Sequence, residues 1–275
     1  MQQIIKSVVR SIFVPPINSF KKSRTTEPVF SSYQQVLSFY GTHGYQERDL
    51  VEVVVAKNAN YRHNILLSHV VGLDALRTMI GVGVIGPQAV LRVLDFGGGS
   101  GSHYSIVRAL LGEERDIRWN VVETEAMATA AAKLAGGGLK FFDDVYTAVA
   151  DLGDVDLVFT SGALQYTPDP LVFLDMLIAV KARHLFITRT PFSDGDEAII
   201  GVQKSMLSSN GPGPLPSNFT DYEIRYPVTF ASKRKAEQLL KKAYKIRFFI
   251  EEDKAAYSVQ GRPFHMYGYF CDLKD

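Results

Sequence analysis

Strand-like and helix-like stretches alternate regularly between residues 91 and 188 of this 275-residue chain. Apolar strand patterns are separated by stretches with apolar residues at helical spacing. Such alternation predicts parallel strands joined by crossover helices, and hence a doubly wound, mostly parallel sheet. The predicted strands are LRVLDF, IRWNVVE, LKFF, DVDLVFT and HLFIT, and the predicted helices cover residues 102–111, 125–135, 144–151 and 169–180.

The two ends of the chain add to this central pattern. After a predicted helix at 232–243, the strands IRFFIEE and FHMYGYFCDL are separated by a linker without helical periodicity. A short connection of this kind favours an antiparallel pair, which brings the sheet to seven strands. Helices are predicted at 33–40 and 61–80. We therefore divide the chain into a helical N-terminal extension, 1–85, and an α/β domain, 86–275.

Residues 190–228 interrupt the regular pattern. This insertion contains SNGPGPLPSN, which is too rich in glycine and proline for a core element. Its EAIIGVQKSML stretch predicts a short helix, and Phe219, Tyr222 and Tyr226 are expected to be exposed. The insertion leaves the carboxyl end of HLFIT, the edge where ligands bind in such sheets, and so predicts a lid over an acceptor. The alternative is a passive surface insertion.

Composition and charge exclude several classes of function. The net charge of +1 gives no extended basic surface for nucleic acid. The single cysteine, Cys271, cannot form an internal disulfide and fits a reducing cytoplasm. No apolar run has the roughly 18 residues of a membrane span, and no Cys/His cluster has metal-ligand spacing. The basic, amphipathic first 26 residues could lie on an anionic membrane surface, or form a short docking helix or a frayed terminus.

A glycine-rich turn follows the first predicted strand in RVLDFGGGSGSHY. Gly97, Gly99 and Gly101 form G-x-G-x-G, whereas a dinucleotide fingerprint is G-x-G-x-x-G and would need glycine in place of Ser102. No Lys-Ser/Thr pair follows, which excludes a P-loop. A dinucleotide is thereby disfavoured as the ligand of this turn.

Two acids accompany the glycines. Asp95 lies inside the strand, where it could hold a cationic group through hydrogen bonds or water. Glu123 ends the next strand, where a carboxylate would meet the hydroxyls of a ribose. Together, the two acids favour a ligand other than a dinucleotide or a P-loop phosphate.

These motifs resemble those of class I S-adenosylmethionine-dependent methyltransferases over about residues 91–272. VLDFGGGSG resembles the first family motif, VVE the acid after the second strand, FFDD the adenine-side segment, and DLVFTSGALQYTPDP the fourth-strand motif. GGGSGSHY, with the long loop after the fifth strand, is similar to a bacterial methyltransferase family associated with surface-polysaccharide gene clusters. This narrower resemblance says little about the substrate.

The resemblance implies S-adenosylmethionine as cofactor and a set of residues to hold it. The glycine turn would line the methionine end, the acid after the second strand would bind the ribose, and an acid of FFDD would approach the adenine amine. The end of the fourth strand would form the wall behind the base or the sulfonium. The implied cofactor-binding residues are Asp95, Gly97, Gly99, Gly101, Glu123, Asp143 or its neighbour Asp144, Ser161 and Gly162.

The catalytic group is left unassigned by the sequence. A general base is needed only if the acceptor is a hydroxyl or a protonated amine. The family's His-His position reads Gln165-Tyr166, so the polar candidates are His103, Tyr104 and Tyr166, each of which could instead be a packing or capping residue. Arg189, after HLFIT, could pair an acidic substrate or make a structural ion pair.

Three function classes follow. The first is a methyltransferase acting on a small molecule or a glycan precursor. The second is a methyltransferase-like binding protein without catalysis, and the third is an NAD(P)-dependent oxidoreductase.

Overall fold

The computed structural model describes residues 28–65, 72–252 and 257–275. The basic N-terminal stretch, and with it the predicted membrane-surface contact, lies outside these residues. Within the described ranges, none of the helices combines the length and apolar character that crossing a bilayer requires.

The described residues form a ten-stranded sheet around a parallel centre. Five parallel strands run in the order β3-β2-β1-β4-β5, and β10 and β8 continue the sheet in antiparallel orientation. This path confirms the predicted seven-stranded, doubly wound sheet and its antiparallel final pair. The strands are β1 Val90–Phe96, β2 Asp116–Val122, β3 Leu139–Phe142, β4 Leu157–Ser161, β5 His184–Ser193, β6 Ile199–Met206, β7 Glu223–Ser232, β8 Tyr244–Glu251, β9 Tyr257–Val259 and β10 Arg262–Leu273.

Helices cover both faces of this sheet. One face packs against α6, α7 and α8, and the other against α3 and α4, with α2 and α5 forming a further apolar cluster. The start of α7 shows why the local predictions succeed: the Asp169 carboxylate caps the helix and Pro170 occupies its first turn. The helices are α1 Tyr33–Tyr40, α2 Arg48–Asn64, α3 Leu73–Ile85, α4 Ser102–Leu111, α5 Glu125–Ala131, α6 Val145–Leu152, α7 Pro170–Ala179 and α8 Lys233–Ala243.

The predicted single helix at 61–80 is wrong. Its first residues end α2, which begins thirteen residues earlier than predicted, and its last residues belong to α3. Gly72 precedes α3 with an extended backbone (φ −73°, ψ 165°), so one helix cannot run through it. Two helices therefore take the place of the single predicted one, and the apolar side of α2 is buried in the cluster that it forms with α5.

The predicted helix in EAIIGVQKSML is also wrong. Residues 199–206 form β6, which pairs with β7 in an antiparallel hairpin. The side chains of β6 alternate between buried and partly exposed, and this period of two is satisfied by pairing with β7, which begins only at Glu223. Of the three aromatics expected to be exposed, Tyr222 is exposed, Phe219 is half-buried and Tyr226 is buried.

The tip of this hairpin, residues 207–222, packs against α2. Leu207 is fully buried among the valines of α2, and Leu215 and Phe219 pack against the same cluster. Lys57 of α2, which is 2% exposed, donates from Nζ to the backbone oxygens of Ser208 and Asn210, both at 2.7 Å. The insertion is therefore fastened to the N-terminal extension.

Lys57 makes the stability of this contact depend on pH. Burial lowers its pKa from the usual 10.5 to about 8, against the opposing charge of Asp221. A neutral amine has two N–H groups, one for each carbonyl. From pH 8 to about 10.5 the unfolded chain holds a proton that the folded chain lacks, so this group's contribution to the free energy of unfolding rises with pH.

We expect Lys57→Met to remove this rise and to leave two buried carbonyls without donors. Urea unfolding at pH 7, 8, 9 and 10 should show that the stability gap between wild type and variant widens with pH. Lys242→Met, at an exposed position on α8, is the matched control and should leave the gap near zero throughout. A gap that is constant with pH would mean that Lys57 stays charged in the folded protein.

Candidate functional site

The candidate site lies where β1, β2, β4 and β5 end at their carboxyl termini, the edge at which ligands bind in open α/β sheets. The loop between β1 and α4 contains Gly97, Gly99 and Gly101 with φ values of +71°, +58° and +88°, a region that side chains disfavour. The Gly97 N–H donates to the backbone oxygen of Val122 at 2.9 Å, which fixes the loop against the end of β2.

Glu123 joins this loop to β2. Its Oε1 accepts the Gly99 N–H at 2.9 Å and its Oε2 accepts the Thr124 N–H at 3.0 Å. Burial raises the pKa of the Glu123 carboxyl, although both backbone N–H groups act in the opposite direction. A carboxylate has about four acceptor positions, so this half-buried group keeps capacity for further donors. It can accept a pair of neighbouring hydroxyls.

The three glycines serve different purposes. A Cβ on Gly97 would lie 2.1 Å from the Cβ of Ala163, so this residue lets the loop pass close to the end of β4. A Cβ on Gly99 would contact only Val54 of α2, at 3.7 Å. A Cβ on Gly101 would lie 2.8 Å from Leu139, so this residue allows α4 to pack closely on β3, and its contact with a cofactor stays a prediction.

Asp95 is enclosed at the end of β1. Its side chain has no exposed surface and accepts hydrogen bonds from His103 Nδ1 and Trp119 Nε1, both at 2.9 Å. The carboxylate holds the start of α4 against β2, and its contact with a cationic group, direct or through water, stays a prediction. Burial lowers the pKa of His103, but the charge and hydrogen bond of Asp95 outweigh it and the net shift is upward.

The three catalytic candidates lie in different places. His103 packs edge-on against Phe159 of β4. The Tyr104 hydroxyl donates to Gly137, Arg108 lies over its ring, and the ring is buried against Trp119 of β2, so the structure gives this candidate a packing role. The Tyr166 hydroxyl donates to Gln203 Oε1 at 2.8 Å, and burial raises its pKa, which keeps the phenol protonated.

The pair of acids after β3 is distinguished by helix capping. Asp144 caps α6 by accepting the Thr147 N–H at 2.7 Å, and this bond lowers the pKa of its carboxyl. Asp143 is exposed beside it. Both carboxylates are exposed, and contact of either with an adenine amine stays a prediction. We take Asp143, which caps no helix, as the first candidate.

The ends of β4 and β5 form the opposite wall. Ser161 ends β4, and Gly162 (φ +66°) lies against the side chain of Arg189. Arg189 has a left-handed backbone (φ +54°) where β5 bulges against β10. Its guanidinium donates to Asp74 Oδ1 of α3 at 3.1 Å. Of the two alternatives predicted for Arg189, the structure shows the ion pair within the protein.

Two features of the site were missed in the sequence. The first is α2, which covers the glycine loop: Ser100 Oγ donates to the Val54 carbonyl at 3.1 Å and accepts from Asn58 Nδ2 at 2.8 Å. The second is an aromatic wall formed by Tyr45, Tyr166 and Tyr226, with ring centroids 4.5–5.5 Å apart. Only the helical spacing of the valines in VEVVVAKN could have indicated α2.

No group of three or more His, Cys, Asp or Glu side chains in the described ranges is arranged to hold a metal ion. The candidate site is thus built from backbone N–H groups, one accessible carboxylate beside the loop and an aromatic wall.

Comparisons with known proteins find similarity in fold alone. No protein-family model matches the sequence, and no curated protein matches it. An S-adenosylmethionine-dependent methyltransferase from Clostridium acetobutylicum is 11% identical over 79% of this chain and 98% of its own, with a TM-score of 0.45. An O-methyltransferase family protein from Burkholderia thailandensis is 14% identical over 80% and 62% (TM-score 0.39). LepI, solved with S-adenosylmethionine, is 13% identical over 72% and 46% (TM-score 0.40).

Proposed function

We propose that this protein is a methyltransferase that uses S-adenosylmethionine to methylate a small molecule or a glycan precursor. The observation that carries the proposal is the hydrogen bond between Glu123 and the glycine loop. A carboxylate at the end of β2 is held by the Gly99 N–H and keeps acceptor capacity for two hydroxyls. This contact lies at the edge of a sheet in which seven strands follow one another and the last two are antiparallel, the fold expected from the motif resemblance.

The residues present fit this cofactor. Glu123 would take the ribose hydroxyls, and the exposed carboxyl of Asp143 would take the adenine amine. The loop around Gly97 would lie against the methionine end, and Ser161 with Gly162 would form the wall beside the sulfonium. When bound, S-adenosylmethionine supplies a methyl group already activated by the positive sulfur. The chain itself aligns donor and acceptor and excludes water.

The acceptor would bind between the loop and the β6–β7 hairpin. Tyr45 and Tyr166, both half-buried, give this region an aromatic wall, and Gln203 fixes the Tyr166 hydroxyl. Such a wall can stack on a ring or on the apolar face of a sugar. The raised pKa of Tyr166 argues against a phenolate base. The wall therefore orients the acceptor, and proton removal falls to His103 or to solvent.

Calorimetric titration tests the cofactor assignment. We expect S-adenosylmethionine and S-adenosylhomocysteine to bind and NAD not to bind. Binding of NAD alone would favour the oxidoreductase alternative. Binding of S-adenosylhomocysteine without methyl transfer to any member of a panel of sugar nucleotides, phenols and amines would favour a binding protein without catalysis.

A pair of variants tests the two acids. Glu123→Ala should weaken S-adenosylhomocysteine binding by more than about tenfold, which corresponds to 1.4 kcal/mol, because two hydroxyl contacts and the Gly99 bond are lost. Asp143→Ala should cost less, since water replaces one contact at an exposed carboxylate. Glu125→Ala, in the first turn of α5 and exposed, is the control and should bind normally. If Asp143→Ala costs more than Glu123→Ala, the orientation assigned to the nucleoside is reversed.

A further inference from the structure

Asn58 of α2 has a buried oxygen without a hydrogen-bond donor. The residue is 1% exposed, and no partner for its Oδ1 is found among the described residues. An unpaired buried amide oxygen costs about 1–3 kcal/mol. Such a group in a native protein calls for an explanation, and a ligand that supplies a donor is one.

The Asn58 amide contacts the glycine loop through its nitrogen. Ser100 Oγ donates to the Val54 carbonyl at 3.1 Å and accepts from Asn58 Nδ2 at 2.8 Å. In this arrangement Nδ2 faces Ser100, and no described residue donates to Oδ1. The free group is thus an acceptor, and it requires a donor rather than an anion.

Ser100 lies inside the glycine loop, between Gly99 and Gly101, so the free oxygen is placed at the loop itself. The proposed cofactor brings one strong donor to this place, the α-ammonium group of its methionine part, which has three N–H groups. An ammonium and a buried amide oxygen form a charge-assisted hydrogen bond, which is stronger than one between neutral groups. Asp95, the acid that the sequence offered for a cation, is enclosed by His103 and Trp119.

We propose that Asn58 binds the α-ammonium group of the cofactor through Oδ1, so that helix α2 of the N-terminal extension completes the cofactor site. This inference rests on the proposed function. It assigns a binding role to a residue of the extension, outside the motifs of the α/β domain. The extension then contributes to cofactor selectivity, because a nucleoside without the amine leaves the Asn58 oxygen unpaired.

The test compares two ligands that differ in one group. S-adenosylhomocysteine carries the α-amine, and its desamino analogue keeps the carboxylate and the adenosine but lacks the amine. In the wild type we expect S-adenosylhomocysteine to bind about tenfold more tightly than the analogue. In Asn58→Leu the ratio of the two affinities should fall to about one, because the leucine offers the amine no acceptor. Calorimetry gives both affinities without any acceptor substrate.

Two further variants make the result unambiguous. Asn60→Leu, an exposed position on the same helix, should keep the wild-type ratio. Asn58→Asp keeps an oxygen and adds charge, so its ratio should equal or exceed that of the wild type; it also serves if the leucine variant does not fold. An unchanged ratio in Asn58→Leu, or a ratio near one in Asn58→Asp, overturns the inference. Failure of the wild type to bind either ligand would instead refute the proposed function.

Discussion

Gly97→Ala is expected to abolish S-adenosylhomocysteine binding. The new Cβ would lie 2.1 Å from the Cβ of Ala163, about half of a normal contact between methyl groups. The left-handed backbone at φ +71° adds about 1–2 kcal/mol of strain. Relief of the clash requires the loop to move away from β4, which breaks the Gly97 bond to Val122 and carries the Gly99 N–H away from Glu123. Affinity should fall by more than about a hundredfold, or 2.7 kcal/mol.

Gly41→Ala is the control that has the backbone strain of a left-handed alanine without a steric clash at its Cβ. Gly41 ends α1 with φ +60°, and a Cβ there would meet nothing within 4 Å. Thermal melting should show a small loss of stability in Gly41→Ala and a larger one in Gly97→Ala, whereas titration should show lost binding only in Gly97→Ala. Normal binding by a folded Gly97→Ala protein would mean that the glycine loop does not hold the ligand.

The parts of the fold that sequence predicted correctly are those encoded by neighbouring residues. Helix α7 begins at Pro170, directly after the predicted cap Asp169, and α4 covers the predicted residues 102–111. The hairpin was missed because EAIIGVQKSML carries apolar residues at both helical and strand spacing. The choice between the two depends on a partner strand remote in sequence, since Ile199 pairs with Phe230 and Met206 with Glu223.

The features of the site that could be predicted from the sequence are likewise those encoded by neighbouring residues. The glycine turn and Glu123 are adjacent to strand ends, and the structure brings them together. The position of Asp95 in the motif is visible in the sequence, but its hydrogen bond with Trp119, which lies 24 residues away, is not. Asn58 was not found, since its contact with Ser100 spans 42 residues and no local pattern indicates it.

The hairpin tip remains the proposed cover of the acceptor site, now with a defined docking surface. The Tyr222 hydroxyl donates to Asp49 Oδ2 at 2.9 Å, and a Cβ on Gly211 would lie 3.3 Å from the backbone of Val54. Val54 also contacts the glycine loop through Ser100. The same helix thus supports the cofactor loop on one side and the tip on the other, and the tip can exclude water from the acceptor only while it is docked.

Replacing Gly211–Ser217 by a short Gly-Ser linker should therefore separate binding from turnover. The replacement removes Leu215 from the α2 cluster but keeps the two carbonyls that bind Lys57, so S-adenosylhomocysteine affinity should stay within a few-fold. Methyl transfer to the acceptor identified from the panel should fall by at least about a hundredfold, because an undocked tip admits water and leaves the acceptor unaligned. Hydrogen exchange should rise in residues 207–222.

Tyr222→Phe, which loses one exposed hydrogen bond, is the control and should retain activity. Full turnover by the linker variant would make the hairpin a surface insertion and would place the acceptor nearer to the N-terminal helices.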